Sequence, residues 1–240
     1  MDWLHAREPV SAWTHGGWLL LCLPAVVLLH RRAGFSLVKQ LGLALYSLGL
    51  ALCFGGSWLY HSVPAAQVPL CIRLDYIGIF LLILGSATPV ALVVLRGRPR
   101  WSVLALFWAM GVTGITLRIL AVPVPDGVST GLYILMGWTA LLIYVELVRR
   151  LSHRALRPVL LGGLIYSGGA VLNSLHWPEL WPGVFSAHEV SHLCVMAASL
   201  CHFVFMLRVI APFEYPGVAP ADAAPDALEL LPAPEPQAAG

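Results

Sequence analysis

The stretch YIGIFLLILGSATPVALVVL, residues 76–95, decides the class of fold. It contains twenty residues and no charged side chain. A helix of about 20 apolar residues is long enough to cross the ~30 Å hydrocarbon core of a bilayer. Only helices and closed barrels satisfy every backbone hydrogen bond in lipid, and the apolar residues here are continuous rather than alternating. The stretch therefore predicts a transmembrane helix.

Six further stretches have the same character, and basic or turn-forming residues separate each from the next. The sequence thus predicts an all-α membrane protein, a seven-transmembrane helix bundle, with spans at residues 10–29, 37–60, 72–95, 101–122, 129–148, 156–174 and 184–210. The first span has no basic leader and no small-residue cleavage site, so we expect a retained helix rather than a signal peptide.

The composition excludes several classes of protein. Hydrophobic residues make up 59% of the 240 residues and charged residues only 11%, whereas charged residues are about 25% of an ordinary soluble domain. These fractions exclude a soluble enzyme, a disordered chain and a nucleic-acid-binding protein. The cysteines show no C-x-x-C spacing, so we expect apolar packing residues rather than a disulfide framework.

Composition also divides the chain into three segments. Residues 1–9 form a short N-terminal segment, residues 10–211 the seven-helix domain, and residues 212–240 a tail rich in proline and alanine. The tail carries five acidic residues and no Lys or Arg. Such a segment buries too little apolar surface to fold, so we expect it to be disordered.

Basic residues are distributed unevenly between the two ends of the predicted bundle. Three of the fourteen, Arg7, Arg73 and Arg118, fall on the face that carries the N-terminus. The opposite face, called the basic face below, carries the other eleven: Arg31, Arg32, Lys39, Arg96, Arg98, Arg100, Arg149, Arg150, Arg154, Arg157 and Arg208. By the positive-inside rule the basic face is cytoplasmic. We therefore expect an external N-terminus and a cytoplasmic C-terminus.

Polar side chains without positive charge collect at the N-terminal face, called the histidine face below. His188 and His192 are four residues apart, so they share one side of a helix, and His61 ends the second span at a similar depth. Three histidines with an open fourth position are typical of a catalytic zinc site. Ser57 lies one turn from His61, and Asp75 begins the third span at the same depth, where it could orient a ligand or a water.

Other polar residues fit simpler interpretations. Three histidines near span ends are expected to be polar tips in the headgroup region: His5, His30 and His153. His202 lies too deep to join the site, and His15 and His176 fit either interpretation. We expect Glu189 to face solvent, and Arg118 either contacts a substrate headgroup or extends its charge to the interface.

A set of motifs occurs in a fixed order along the chain. They are Glu8 with Thr14-His15-Gly16, Ser57-Trp58-Leu59-Tyr60-His61-Ser62, Arg73-Leu74-Asp75-Tyr76, Thr88-Pro89, Met136-Gly137-Trp138, and His188 with His192. Over about residues 7–210 this set resembles the hemolysin III family, bacterial relatives of the progestin and adipoQ (adiponectin) receptors. The chain departs from the family pattern at Ser11, where an Asn is usual, and at Tyr76, where bacterial members often have His.

The resemblance implies a fold, a cofactor, a site and a location in the bacterial inner membrane. The wider superfamily, which includes alkaline ceramidases, looks like seven-helix membrane hydrolases with a three-histidine zinc site near one membrane face. Carried over, the Zn2+ ligands are His61, His188 and His192, with Asp75 and Ser57 beside the water. Adiponectin-receptor-like proteins have a cytoplasmic N-terminus, opposite to the orientation that the charge distribution favours here.

Three functions follow from these expectations. The first is a zinc-dependent hydrolase of a lipid-like amide or ester, ceramidase-like, in which Asp75 acts as general base and the Ser57 hydroxyl stabilises the oxyanion. The alternative is a membrane receptor or lipid sensor with a structural zinc. A pore-forming hemolysin is the least favoured, because the halves of the spans toward the basic face are almost purely apolar. Membrane lipids and a lipid-like substrate are the expected partners.

Overall fold

The computed structural model describes residues 6–214, with every side chain among them except that of Asp126. Within this range seven helices are long and apolar enough to cross a membrane, which confirms the predicted all-α bundle. The helices are α1 (Pro9–Arg32), α2 (Leu37–Ser62), α3 (Val68–Val94), α4 (Gly97–Ile119), α5 (Asp126–Trp138), α6 (Tyr144–Val148), α7 (His153–Ser174) and α8 (Ala187–Phe205). Most of the tail predicted for residues 212–240 lies outside the described residues.

Two spans depart from regular α-helix. The fifth, Gly127–Val148, consists of α5 and α6 joined by the 3-10 turn Thr139–Ile143. At the start of that turn the Thr139 hydroxyl donates to the Leu135 carbonyl at 2.8 Å, a bond that often bends a helix. The seventh span continues from α8 into one π-helical turn, Met206–Ile210. Both irregularities lie inside spans that are apolar on average, so hydropathy alone did not predict either of them.

The pair α2 and α3 forms the tightest helix contact. A Cβ atom added at Gly78 would lie 2.6 Å from the Cys53 Cα atom, and one added at Gly49 would lie 2.6 Å from the Leu81 carbonyl oxygen. Small residues allow helix backbones to approach this closely in a membrane. The contact continues to Gly56, where an added Cβ would lie 3.2 Å from the Asp75 nitrogen. The start of α3 is therefore fixed beside the end of α2.

Helix α1 lies against both α2 and α8 and connects them. Near mid-membrane the Trp18 indole N–H donates to the Ser199 hydroxyl of α8 at 3.0 Å. At the histidine face the Glu8 backbone N–H donates to the His61 carbonyl of α2 at 3.1 Å. Large apolar side chains remain on the outside of the bundle, such as Leu142, which is 77% exposed, because lipid is their solvent. The ends of α1, α2 and α8 thus meet at one membrane face.

Candidate metal centre

Three histidines converge where these helix ends meet. His61 lies in the last turn of α2, and His188 and His192 lie in the first two turns of α8. One ring nitrogen from each of the three lies within 4.8 Å of the others, and the Nε2 atoms of His61 and His188 are 3.3 Å apart. His61 is fully buried, His192 is 5% exposed and His188 is half-buried. This group could hold a metal ion, as three imidazoles on adjoining helix ends are suited to do.

The rings of His61 and His192 are oriented by partners on α1 and just before it. The Nδ1 atom of His61 is hydrogen-bonded to the Glu8 carboxylate. The Nδ1 atom of His192 lies 3.4 Å from the Thr14 hydroxyl oxygen. Because that hydroxyl donates its proton to the Val10 carbonyl at 2.9 Å, it is left to accept from Nδ1–H. A proton on Nδ1 in both rings would leave the Nε2 lone pair for a metal.

Glu8 and Thr14 were not identified as site residues from the sequence, although both stand in the ordered motifs. Their contacts depend on how α1 packs against α2 and α8, which hydropathy does not determine. Arg7 adds to the same corner, since its guanidinium contacts the Glu8 carboxylate and lies 4.9 Å from the centre of the Tyr60 ring. The sequence contained one indication that Glu8 belongs to the site, namely its position at the same membrane face as His61.

Ser57 and Asp75 form a hydrogen-bonded pair that joins α2 to α3. Ser57 is 2% exposed and lies one turn before His61 on α2. Its side chain is hydrogen-bonded to Asp75 on α3. The hydroxyl is thus engaged with the carboxyl group, a contact that the sequence did not predict. The catalytic roles of both residues stay predictions.

Glu189 is half-buried rather than fully exposed to solvent as expected, because its carboxylate contacts the beginning of α1. One carboxylate oxygen accepts from the Ser11 hydroxyl at 2.7 Å. The other accepts from the backbone N–H of Ser186 at 2.8 Å and from its hydroxyl at 2.7 Å. Together with the Ser186 side chain this forms a capping box, which satisfies free N–H groups at the helix start. The cap fixes the turn that carries His188.

His15 of α1 is a fourth imidazole in this region. Its ring stacks on that of His192, with centroids 3.8 Å apart and planes 10° apart, and it meets Phe54 edge-on at 5.0 Å. It is 4% exposed, and neither ring nitrogen has a hydrogen-bond partner within residues 6–214. His15 therefore packs against the face of the His192 ring. It is not one of the three histidines that could share a metal.

The other histidines lie elsewhere. His202 packs near Tyr166, with ring centroids 5.6 Å apart. His153 and His176 are exposed, whereas His5 lies outside the described residues. His30 differs from the expected polar tip, because it is hydrogen-bonded to the side chains of two residues on α2, Gln40 at 2.6 Å and Ser47 at 3.1 Å.

Comparisons with known proteins agree with the motifs. A family model described as "Haemolysin-III related" matches residues 3–203. Hemolysin-3 of Bacillus cereus is 31% identical over 209 residues, 86% of this chain and 93% of that protein. The Hemolysin-3 homolog of Bacillus subtilis (strain 168) is 28% identical over 204 residues, covering 84% and 93%. An adiponectin receptor protein of Drosophila melanogaster is 26% identical over 220 residues, 82% of this chain but 49% of that longer protein.

Proposed function

The chain belongs to the haemolysin-III-related family of multi-pass membrane proteins, and from that premise we propose a zinc-dependent hydrolase of a lipid-like amide or ester. One observation carries the proposal: the nitrogens of His61, His188 and His192 gather within 4.8 Å of one another inside a bundle of seven apolar helices. Ionisable groups are costly inside a membrane-spanning bundle, so their presence there points to a function.

The donor set supports zinc as the metal. Imidazole nitrogens bind zinc at about 2.0–2.1 Å, and catalytic zinc sites use three protein ligands with a fourth position open. In a tetrahedral site with such bonds, neighbouring ligand atoms are separated by roughly 3.3 Å. The two Nε2 atoms of His61 and His188 are 3.3 Å apart. Hydrogen bonds to the opposite nitrogens of His61 and His192 hold the rings in the orientation that such a site requires.

Residues near the histidines would supply the other groups that the hydrolysis needs. Zinc, when bound, acts as a Lewis acid that acidifies water and polarises a carbonyl group. The Asp75 carboxylate would accept the proton of the attacking water as general base and return it to the leaving group. Ser57 is best assigned as a positioning residue, because its hydroxyl is hydrogen-bonded to Asp75. The alkyl part of the substrate would reach the site from the surrounding lipid.

The proposal is tested by turnover. Purified protein is incubated with a panel of N-acyl and O-acyl lipids, and the released fatty acid is quantified by mass spectrometry. We expect release by the wild type and a loss of about 100-fold or more for Asp75→Asn, because general base catalysis contributes about 10²–10⁴-fold. Glu146→Gln, at a half-buried residue in the fifth span, is the matched control. Equal release by wild type and Asp75→Asn, or none from any lipid with the metal bound, would contradict the proposal.

A second candidate is a receptor or lipid sensor in which the metal is structural. The relatives in Drosophila melanogaster and Caenorhabditis elegans, named as adiponectin and progestin/adipoQ receptor proteins, favour it. It differs from the first in one observable, since the metal would be bound while no lipid is hydrolysed. The Bacillus relatives are named hemolysins, and leakage of liposomes by the purified protein would instead support a pore.

A further inference from the structure

The histidine face has few basic residues, and two of them line one groove. Arg7 is occupied by the Glu8 carboxylate and the Tyr60 carbonyl. The remaining two, Arg73 of α3 and Arg118 of α4, both line a groove of about 260 Å³ between these helices. Its other lining residues are Ile72, Tyr76, Ala121 and Val122. Because the whole histidine face has only three basic residues, the presence of two of them in one groove suggests a specific role.

Arg118 is held in place rather than free to extend into the headgroup region. Its guanidinium carbon lies 4.0 Å from the centre of the Tyr76 ring, and its Nη2 atom donates to the Ser129 hydroxyl. Stacking and a hydrogen bond together fix a planar guanidinium, which suits recognition of a flat or tetrahedral anion. Among the side chains whose placement is described, no carboxylate forms an ion pair with Arg73 or Arg118.

The groove also lies beside the proposed hydrolytic site. Tyr76 follows Asp75 directly in the chain, and the phenol of Tyr133 on α5 lies in the same region as Asp75, Tyr76 and Arg118. The apolar groove residues would contact the first methylene groups of a lipid, while the arginines face its polar end. A ligand with an anion attached to an alkyl chain matches this combination of cationic and apolar surface.

We propose that the groove between α3 and α4 binds the phosphate of an anionic lipid through Arg73 and Arg118, and that such a lipid is the substrate class of the neighbouring site. Guanidinium groups bind phosphate oxygens through short, often paired, charge-assisted hydrogen bonds. The substrate assignment rests on the proposed function. Lipid binding at the groove does not, so the two can fail separately.

A second groove of about 310 Å³ provides a matched control. It lies at the basic face and includes Arg154 and Arg208 among its lining residues. Both arginines are exposed, and no cation–π contact or hydrogen bond fixes either guanidinium within residues 6–214. The same charge change can therefore be made at two grooves of similar size, of which only one has an immobilised guanidinium.

The test is lipid binding by native mass spectrometry of the full chain in detergent. The probes are a diether phosphatidylglycerol, which has no ester or amide bond to hydrolyse, a diether phosphatidylcholine with the same chains, and inorganic phosphate. We expect phosphatidylglycerol to bind about tenfold more tightly than phosphatidylcholine. Arg73→Gln with Arg118→Gln should remove this preference, Arg118→Lys should weaken it partly, and Arg154→Gln with Arg208→Gln should change it less than about twofold.

Three outcomes would overturn the inference. An equal loss in both double variants would show diffuse attraction to a charged surface, and an unchanged preference in Arg73→Gln with Arg118→Gln would place the lipid elsewhere. Inorganic phosphate competing at equal concentration would identify a free anion as the ligand. Metal content and thermal unfolding of each variant verify its folding. A preference that survives while no lipid is hydrolysed supports the groove and counts against the hydrolase.

Discussion

At the scale of single residues, the most informative contact joins Glu8 to His61. The carboxylate is hydrogen-bonded to Nδ1 of the only α2 residue in the histidine group. A carboxylate in this position fixes the ring and raises the basicity of its other nitrogen. Glu8 thus has the geometry of a residue that acts on a metal through its ligand.

We predict that Glu8→Gln weakens zinc binding by about tenfold, because loss of such partners commonly costs 10–100-fold in metal affinity. The variant keeps the size of the side chain and removes its charge. Zinc affinity is measured by competition with a chromophoric chelator, with Glu146→Gln as the control for loss of one carboxylate. Affinity within twofold of the wild type would show that Glu8 does not act on the metal.

The sequence predicted the three histidines of the site but not the residues that orient their rings. The i, i+4 spacing of His188 and His192 follows from the sequence of one helix. The position of His61 at the end of its span likewise follows from sequence. The contacts of Glu8, Thr14 and His15 depend on the packing of α1 against two other helices. Glu189 shows the same limit, since its carboxylate accepts a hydrogen bond from Ser11 of α1, a contact that the sequence did not predict.

At the scale of elements, the close contact of α2 and α3 positions Asp75 beside Ser57. We predict that Gly78→Ala lowers the unfolding temperature by several degrees, because a Cβ there would lie 2.6 Å from backbone atoms of α2 and overpacking costs about 1–3 kcal/mol. Thermal unfolding in detergent is followed by tryptophan fluorescence.

Gly168→Ala on α7 is the matched control for that prediction. An added Cβ at Gly168 meets nothing within 4 Å, so only the helix preference for Ala over Gly remains, worth about 1 kcal/mol in favour of the helix. Its unfolding temperature should equal or exceed that of the wild type. If both variants behaved alike, the α2–α3 contact would not have the importance assigned to it.

Hydropathy predicts the transmembrane helices of this chain well, but it does not predict the irregular turns inside them. All seven spans agree with helices of the structure, because length and apolarity decide them. The 3-10 turn at Thr139–Ile143 was not predicted. It arises within an apolar stretch, where a change in hydrogen-bond pattern leaves no trace in composition.

At the scale of the whole molecule, the charge distribution predicts the orientation in the membrane. Eleven of fourteen basic residues on one face predict a cytoplasmic C-terminus and an external N-terminus. An alkaline phosphatase or fluorescent protein fused after Arg208 distinguishes the two orientations in bacterial cells. We expect fluorescence without phosphatase activity, and the reverse result would place the histidines at the cytoplasmic face.

The central claim is that one zinc ion is held by the three histidines, and its direct measurement is the metal content of the purified protein by inductively coupled plasma mass spectrometry. We predict about one zinc per chain, and a loss of most of it in His188→Ala and in His192→Ala. His202→Ala, which removes a histidine of the same helix outside the group, should retain the wild-type content. Wild-type protein without stoichiometric zinc, or equal loss in all three variants, would contradict the account.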